Sequence, residues 1–166
     1  MRNPIVTIEM ENGGTFTIEL YPEYAPQTVA NFLKLAESNY YAGTTFHRVY
    51  PGFMAQGGEG ADTPTIKGEF ASNGFDNPLS HARGVISMAR AQDPDSAGSQ
   101  FFIMHADGDF LDGEYAAFGR VIEGIEAVDH VAEVETDAMD RPAQDQVIKS
   151  IRVETNGAEY PVEKIQ

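Results

Sequence analysis

The stretch Ile5-Val6-Thr7-Ile8-Glu9-Met10-Glu11-Asn12-Gly13-Gly14-Thr15-Phe16-Thr17-Ile18-Glu19-Leu20 decides the fold class. Val6, Ile8 and Met10 alternate with Thr7, Glu9 and Glu11, and Phe16, Ile18 and Leu20 alternate with Thr17 and Glu19. Successive side chains on a strand point to opposite faces, so each run presents one apolar and one polar face. Asn12-Gly13-Gly14 joins the runs, and Asn-Gly supplies the positive φ angles of a tight turn. The sequence therefore predicts an antiparallel hairpin as the first element.

Outward from that hairpin, two helices are predicted. Pro26 suits a first helical position, where its missing N–H costs nothing. Val29, Phe32, Leu33 and Ala36 follow at helical spacing until Ser38-Asn39 and Gly43. A second amphipathic helix starts near Gly124, with Ile125, Val128 and Ala132 on one face and Glu126, Asp129 and Glu133 on the other. Short apolar bursts at 46–49, 53–56, 85–89, 100–104 and 116–122 have strand length, and a last strand is expected at 147–154. Many short strands with two helices favour a closed antiparallel barrel, since closure removes exposed edges. Residues 57–78 are predicted as loop, 136–146 as an acidic loop, and 156–166 as a loosely held tail behind a domain of residues 1–155.

A chain of 166 residues and 18.1 kDa suits one domain, and ten Phe with seven Tyr give its core much to bury. The absence of cysteine excludes a disulfide scaffold, a thiolate metal site and a thiol nucleophile. Twenty-six acidic residues against eleven basic ones give a net charge of −15. A field of that sign repels phosphate backbones and anionic lipid, so neither nucleic acid nor membrane is expected as a partner. Solubility or high-salt adaptation is the plain explanation of the acidity, and an acid-lined site for cationic substrates is the alternative. No apolar run approaches the ~20 residues of a bilayer span, and the first residues lack the apolar block of a secretory signal. The expected address is the cytoplasm. Without heptads or long exposed apolar runs, a monomer is the default.

Common chemical signatures are missing. His47, His81, His105 and His130 show no H-x-x-x-H or H-E-x-x-H spacing, so no metal site is expected. Asp107, Asp109 and Asp112 hint at a calcium loop, but the positions for its glycine and bidentate glutamate hold Asp112 and Phe118, and the cluster is read as a solvated turn. Gly57-Gly58-Glu59-Gly60 lacks the spacing of a phosphate cradle. Ser87 and Ser99 lack a nucleophile-elbow frame.

What the chain does carry is Phe46-His47-Arg48-Val49-Tyr50-Pro51-Gly52-Phe53-Met54-Ala55-Gln56-Gly57-Gly58. Polar groups are interleaved there with large apolar ones over two short strands. Arg48 and the group Phe53, Met54 and Gln56 could meet across the turn at 50–52. Alternatively the aromatics are core, and Arg48 and Gln56 cap turns. Further blocks follow in order: Ser87-Met88-Ala89-Arg90-Ala91, Gly98-Ser99-Gln100-Phe101-Phe102-Ile103, and Phe110-Leu111-Asp112-Gly113-Glu114-Tyr115 through Phe118-Gly119-Arg120-Val121.

These blocks together resemble the cyclophilins, the family of peptidyl-prolyl cis–trans isomerases, in a compact single-domain bacterial form. The resemblance runs from the hairpin to about Glu154. It implies a closed eight-stranded antiparallel β-barrel capped by two α-helices, an interior filled with side chains, and an external groove for proline-containing peptides and flexible protein segments. No cofactor is implied. By position in the motif, Arg48 is the candidate donor to the prolyl nitrogen, and Gln56 holds Arg48 and helps position the substrate carbonyl. Phe53, Met54, Phe102 and Leu111 match the walls of the proline pocket. Ala89, Arg90 and Ala91 match the groove edge whose main chain pairs with the peptide. Gln100 matches a groove-lining residue and His47 a flanking one. Phe110 stands where many relatives carry Trp, and Tyr115 where His is frequent at the rim. Loss of the indole N–H predicts weak cyclosporin binding. The alternative function is a proline-peptide binding module or chaperone with little turnover.

Overall fold

A computed structural model of the chain describes residues 3–61, 63–157, 159, 160 and 162. The opening hairpin is β1 (Ile5–Met10) and β2 (Thr15–Leu20), paired antiparallel with Val6 opposite Ile18 and Ile8 opposite Phe16. All four of those side chains are buried, as the alternation requires. Gly13 has φ +93°, and the Gly14 N–H donates to the Asn12 side-chain oxygen at 2.7 Å, closing the turn.

Helix α1 (Pro26–Glu37) follows, then β3 (Phe46–Tyr50), β4 (Met54–Gly57), β5 (Val85–Met88), β6 (Phe101–Met104), β7 (Ala117–Glu123), α2 (Ile125–Ala132) and β8 (Ile148–Glu154). Pro26 is the first residue of α1, but Ala25 before it offers no side-chain cap. Glu69 supplies the cap from a distant loop. Its carboxylate accepts from the Gln27 N–H at 3.1 Å, the Thr28 N–H at 2.7 Å and the Thr28 hydroxyl at 2.8 Å. A negative group there satisfies orphan N–H groups and complements the helix dipole.

The eight strands form one antiparallel sheet in the order β3-β4-β6-β5-β7-β2-β1-β8. The expected closed barrel is corrected: the sheet is a curled, open half-barrel. Its edge strands β3 and β8 share no ladder, and the two ends meet where these strands begin. There Thr45 bridges Val147, Phe46 N–H donates to Gln146 O at 2.9 Å, and Ile148 N–H donates to Thr44 O at 2.8 Å. Further along, β3 turns its edge to the 136–146 loop, where Val49 N–H donates to Asp140 O at 2.9 Å. A loop thus covers the edge that a closed ladder would have removed.

The concave side is filled. Val6, Ile8, Phe16, Ile18, Phe46, Phe101 and Phe118 pack there with Val29, Phe32 and Leu33 of α1 and Val128 and Val131 of α2. Central strands are apolar on their other face too. Along β6, Phe101 and Ile103 enter this core, while Phe102 and Met104 join Met54, Val85 and Ala117 in a second cluster on the convex side. A strand buried on both faces reads as an unbroken apolar run, which is how Phe101-Phe102-Ile103-Met104 reads. That second cluster is the floor on which the candidate site rests. In the tail, Tyr160 and Val162 pack against the core instead of hanging free; residues 158, 161 and 163–166 of the expected tail lie outside the described residues.

Candidate active site

Strand register assembles the site. Arg48 on β3 lies opposite Gln56 on β4, Gln56 opposite Phe102 on β6, and Phe102 opposite Ser87 on β5. Directly opposed residues share a face, so these form one row across the convex side. Two residues further along, Tyr50, Met54 and Met104 form a second row. The turn between β3 and β4 needs Gly52 at φ +79° and brings Phe53 over this face. A short 3₁₀ turn at Asp109–Leu111 delivers Leu111 from the far side.

The result is a cleft of about 310 Å³ lined by Arg48, Tyr50, Phe53, Met54, Gln56, Ala89, Arg90, Phe102, Leu111 and Tyr115. Nine of the thirteen residues proposed from sequence lie in it. Ala91 and Gln100 line an adjoining cleft of about 470 Å³ that shares Gln56, Ala89 and Arg90. His47 lines a third, of about 460 Å³, on the other side of Arg48 and beside Met139 and Arg141. Phe110 lines none of the three. It is 70% exposed, with its ring 5.6 Å from that of Phe53 at the rim. The first cleft carries two arginines and no carboxylate, so the acid-lined alternative raised by the net charge finds no support there.

The polar groups are held as follows. The Arg48 Nε–H and Nη2–H both donate to the Tyr50 hydroxyl, at 3.1 and 2.7 Å, and the guanidinium carbon lies 5.1 Å from the Tyr50 ring centre. Gln56 donates its amide to Gln100 Oε1 at 2.9 Å. The holding of Arg48 that the family resemblance assigns to Gln56 is made here by Tyr50. Arg90 donates from Nε and Nη2 to Glu114 O at 3.0 and 2.7 Å and from Nη1 to Ala91 O at 3.0 Å. Its guanidinium stacks between the Phe70 and Tyr115 rings, 4.7 and 4.9 Å from their centres. The guanidinium is thus fixed by main-chain carbonyls and two ring faces. On the same edge, the Ala89 and Ala91 N–H groups are taken by Gln100 O and Ser96 Oγ.

Two histidines absent from the sequence-based site support its walls. His81 is fully buried, with Nδ1 2.8 Å from Asp112 Oδ1 and Nε2 2.8 Å from Ser87 Oγ, and its ring stacks 6.0 Å from that of Phe102. Desolvation holds the His81 pKa below the usual value, and the Asp112 hydrogen bond and charge oppose this incompletely. Burial pushes the Asp112 carboxyl up, but hydrogen bonds from Ser80, the His81 N–H and the His81 ring outweigh it and hold the carboxyl low. The line Asp112–His81–Ser87 has the connectivity of a hydrolytic triad, but Ser87 is fully buried and no substrate reaches its hydroxyl. Asp107, Asp109 and Asp112 lie exposed on a turn, as expected, and two of them also brace neighbouring loops: Asp112 anchors His81, and Asp107 accepts the Arg83 N–H at 2.8 Å.

His105 clamps the β3–β4 turn. Its ring Nδ1 accepts the Gly52 N–H at 2.8 Å, and its main-chain N–H donates to Phe53 O at 2.8 Å. Because Nδ1 is the acceptor, Nε2 carries the proton that faces Glu133 at 3.1 Å and Asp129 at 3.2 Å. This trio has the spacing of metal ligands, yet that tautomer leaves no Nε2 lone pair for a cation. Arg83 completes the network with two bonds to Asp129, at 2.7 and 2.8 Å; its hydrogen bond is the main cause that holds the Asp129 carboxyl low.

Of the residues that sequence reasoning missed, Tyr50 left a signal: two positions from Arg48 on one strand, it must share a face with it. His81 and His105 left none, because Asp112, which anchors the first, and Gly52, which the second clamps, are 31 and 53 residues away.

A sequence model of the family described as cyclophilin type peptidyl-prolyl cis-trans isomerase/CLD matches residues 5–153. A peptidyl-prolyl cis-trans isomerase of Acinetobacter baylyi is 44% identical over 162 residues, covering 89% of this chain and 84% of that protein. A peptidyl-prolyl cis-trans isomerase-like 2 protein of Gibberella zeae is 40% identical over 145 residues, 84% of this chain but only 25% of its own length. Among solved structures, a cyclophilin type isomerase of Cryptosporidium parvum is similar with a TM-score of 0.82 at 31% identity, covering 93% of this chain and 99% of its own. The same protein in the presence of the dipeptide Ala-Pro gives 0.81 at 32% identity, covering 92% and 99%.

Proposed function

The chain belongs to the cyclophilin-type peptidyl-prolyl cis–trans isomerases, and on that premise we propose that Arg48 drives catalysis by donating to the prolyl nitrogen of a twisting X–Pro amide. An X–Pro bond has little preference between cis and trans, yet rotation between them costs ~18–20 kcal/mol of lost amide resonance. As the bond twists, the nitrogen becomes pyramidal and regains its lone pair. A donor aimed at it binds the twisted state more strongly than either planar state, and only such differential binding lowers a barrier. Guanidinium suits the task because it is always charged and presents donors in a fixed fork.

The observation that carries this reading is that Arg48 shares one cleft of about 310 Å³ with Phe53, Met54 and Phe102. That volume lies at the small end of ligand sites, about 300–1,000 Å³, and suits a proline ring better than a cofactor. An apolar wall grips the ring while the residue before it rotates. Gln56, beside Arg48 across the strand pair, is placed to position the substrate carbonyl. Magnitudes require this division of labour. An acceleration of ~10⁶ needs about 8 kcal/mol. One charged hydrogen bond supplies roughly 1.5–3 kcal/mol. Fixing the ring and drying the site supply the remainder. The substrates are proline-containing segments of unfolded or flexible chains, and the outcome is assistance to folding.

Arg48→Ala tests the proposal. In a coupled-protease proline assay, kcat/KM falls by about 10–100-fold, the equivalent of one charged hydrogen bond. An unchanged kcat/KM refutes it. A wild type that binds Ala-Pro peptides without turnover identifies a binding module instead.

A further inference from the structure

We propose that Tyr50 is a positioning residue for Arg48: its phenol oxygen holds the guanidinium by two hydrogen bonds and sets the direction of the donors left over for substrate. The inference rests on the role of Arg48 proposed above and adds the group that aims it.

Arg48 is an exposed residue near the edge of the sheet, on a long flexible stem. Nothing in its own strand conformation selects one rotamer for the guanidinium. Tyr50 does so by geometry. It lies two residues along β3 on the same face, and its hydroxyl oxygen takes both the Nε–H at 3.1 Å and the Nη2–H at 2.7 Å. A phenol oxygen has two lone pairs, so these bonds use its accepting capacity in full. Two bonds from one edge of a planar group fix its plane as well as its position. The 5.1 Å approach of the guanidinium carbon to the Tyr50 ring adds attraction by the ring face. Of the five guanidinium N–H groups, three remain, both on Nη1 and one on Nη2, all away from Tyr50. Gln56 donates its amide to Gln100 at 2.9 Å, and both side-chain hydrogen bonds of Arg48 go to Tyr50.

Tyr50 also ties the donor to the proline wall. Its ring centre is 6.0 Å from that of Phe53, and it lies opposite Met54 in the strand register. The guanidinium, the tyrosine and two pocket residues are therefore one packed unit. A displacement of about 1 Å between donor and ring is enough to cost catalysis heavily, and this unit is what resists it.

Tyr50→Phe removes the oxygen and keeps the ring. In the full-length protein, with an Ala-Pro peptide as substrate, kcat falls about tenfold while KM stays within about twofold, since ground-state contacts with the ring survive. The Arg48 ¹⁵Nε–H resonance, slow to exchange in the wild type, moves and exchanges fast in Tyr50→Phe; a wall residue that did not hold the guanidinium would leave it unmoved. The urea midpoint is unchanged. Wild-type kcat in Tyr50→Phe, beside an Arg48→Ala that shows its expected loss, overturns the role of Tyr50 and leaves that of Arg48 standing. Wild-type kcat in Arg48→Ala overturns both. A lowered urea midpoint with unchanged kcat per folded molecule assigns Tyr50 to stability alone and overturns the inference.

Discussion

Replacing Asp112 by alanine removes the acceptor that keeps His81 satisfied behind the proline wall. Two groups of His81 lose their partner, the main-chain N–H at 2.7 Å and ring Nδ1 at 2.8 Å. A buried polar group left unpaired costs about 1–3 kcal/mol, so the pair amounts to about 2–6 kcal/mol. The Asp112 side chain is 36% exposed, so water partly replaces it, which selects the lower half, about 2–4 kcal/mol. With a urea m-value of about 2 kcal/mol/M, the unfolding midpoint falls by about 1–2 M at pH 8, where His81 is neutral in both states. The acid limb gives a second reading. His81 has a folded pKa below its unfolded value, so its contribution is fully present above about pH 6.5 and is lost as pH falls toward the folded pKa. Asp112 raises the His81 pKa, so without it the folded pKa drops further and stability falls over a wider span below pH 6.5. The Asp112 carboxyl, itself held low, adds a loss below about pH 4 in the wild type that the variant lacks. A midpoint shift under about 0.3 M at pH 8, or an unchanged acid limb, refutes this account of His81.

Two further outcomes follow from single positions. Phe110 keeps an apolar surface at the rim but has no ring N–H, so cyclosporin inhibits weakly while isomerase activity persists; a nanomolar inhibition constant in titration contradicts this. Gly124 sits at φ +78°, and a Cβ added there would lie 2.2 Å from Thr15 O. Gly124→Ala therefore costs more than the ~1–2 kcal/mol of a left-handed non-glycine residue, and a thermal melt within a degree of wild type would contradict it.

Local pattern carried most of the fold. Alternation in β1 and β2 and the Asn12-Gly13 turn fixed the hairpin, and each apolar burst became a strand within a residue or two of the expected ends. Closure was not legible. It depends on how far β3 and β8 curl toward each other, and the strand patterns are the same for an open and a closed sheet. The α1 cap was hidden because Glu69 reaches it across 41 residues, with nothing local at Ala25 to announce it. At the site, the motif that contains Arg48 and Phe53 was readable because strand register brings neighbours in sequence together. The partner of the Arg48 hydrogen bonds was not legible in the motif: it pointed to Gln56, which lies opposite, whereas the side chain two residues along the same strand takes both bonds. Asp112 looked like one acid in a solvated turn because its partner, His81, lies in another loop.

The central claim is that the Arg48 guanidinium acts on the twisted amide more than on the bound peptide. Exchange between cis and trans resonances of an Ala-Pro peptide, measured at saturating peptide with wild type beside Arg48→Ala, tests it most directly. Broadened, merging resonances with the wild type, and bound but separate ones with Arg48→Ala, are the predicted result. Equal exchange rates in the two proteins would contradict it.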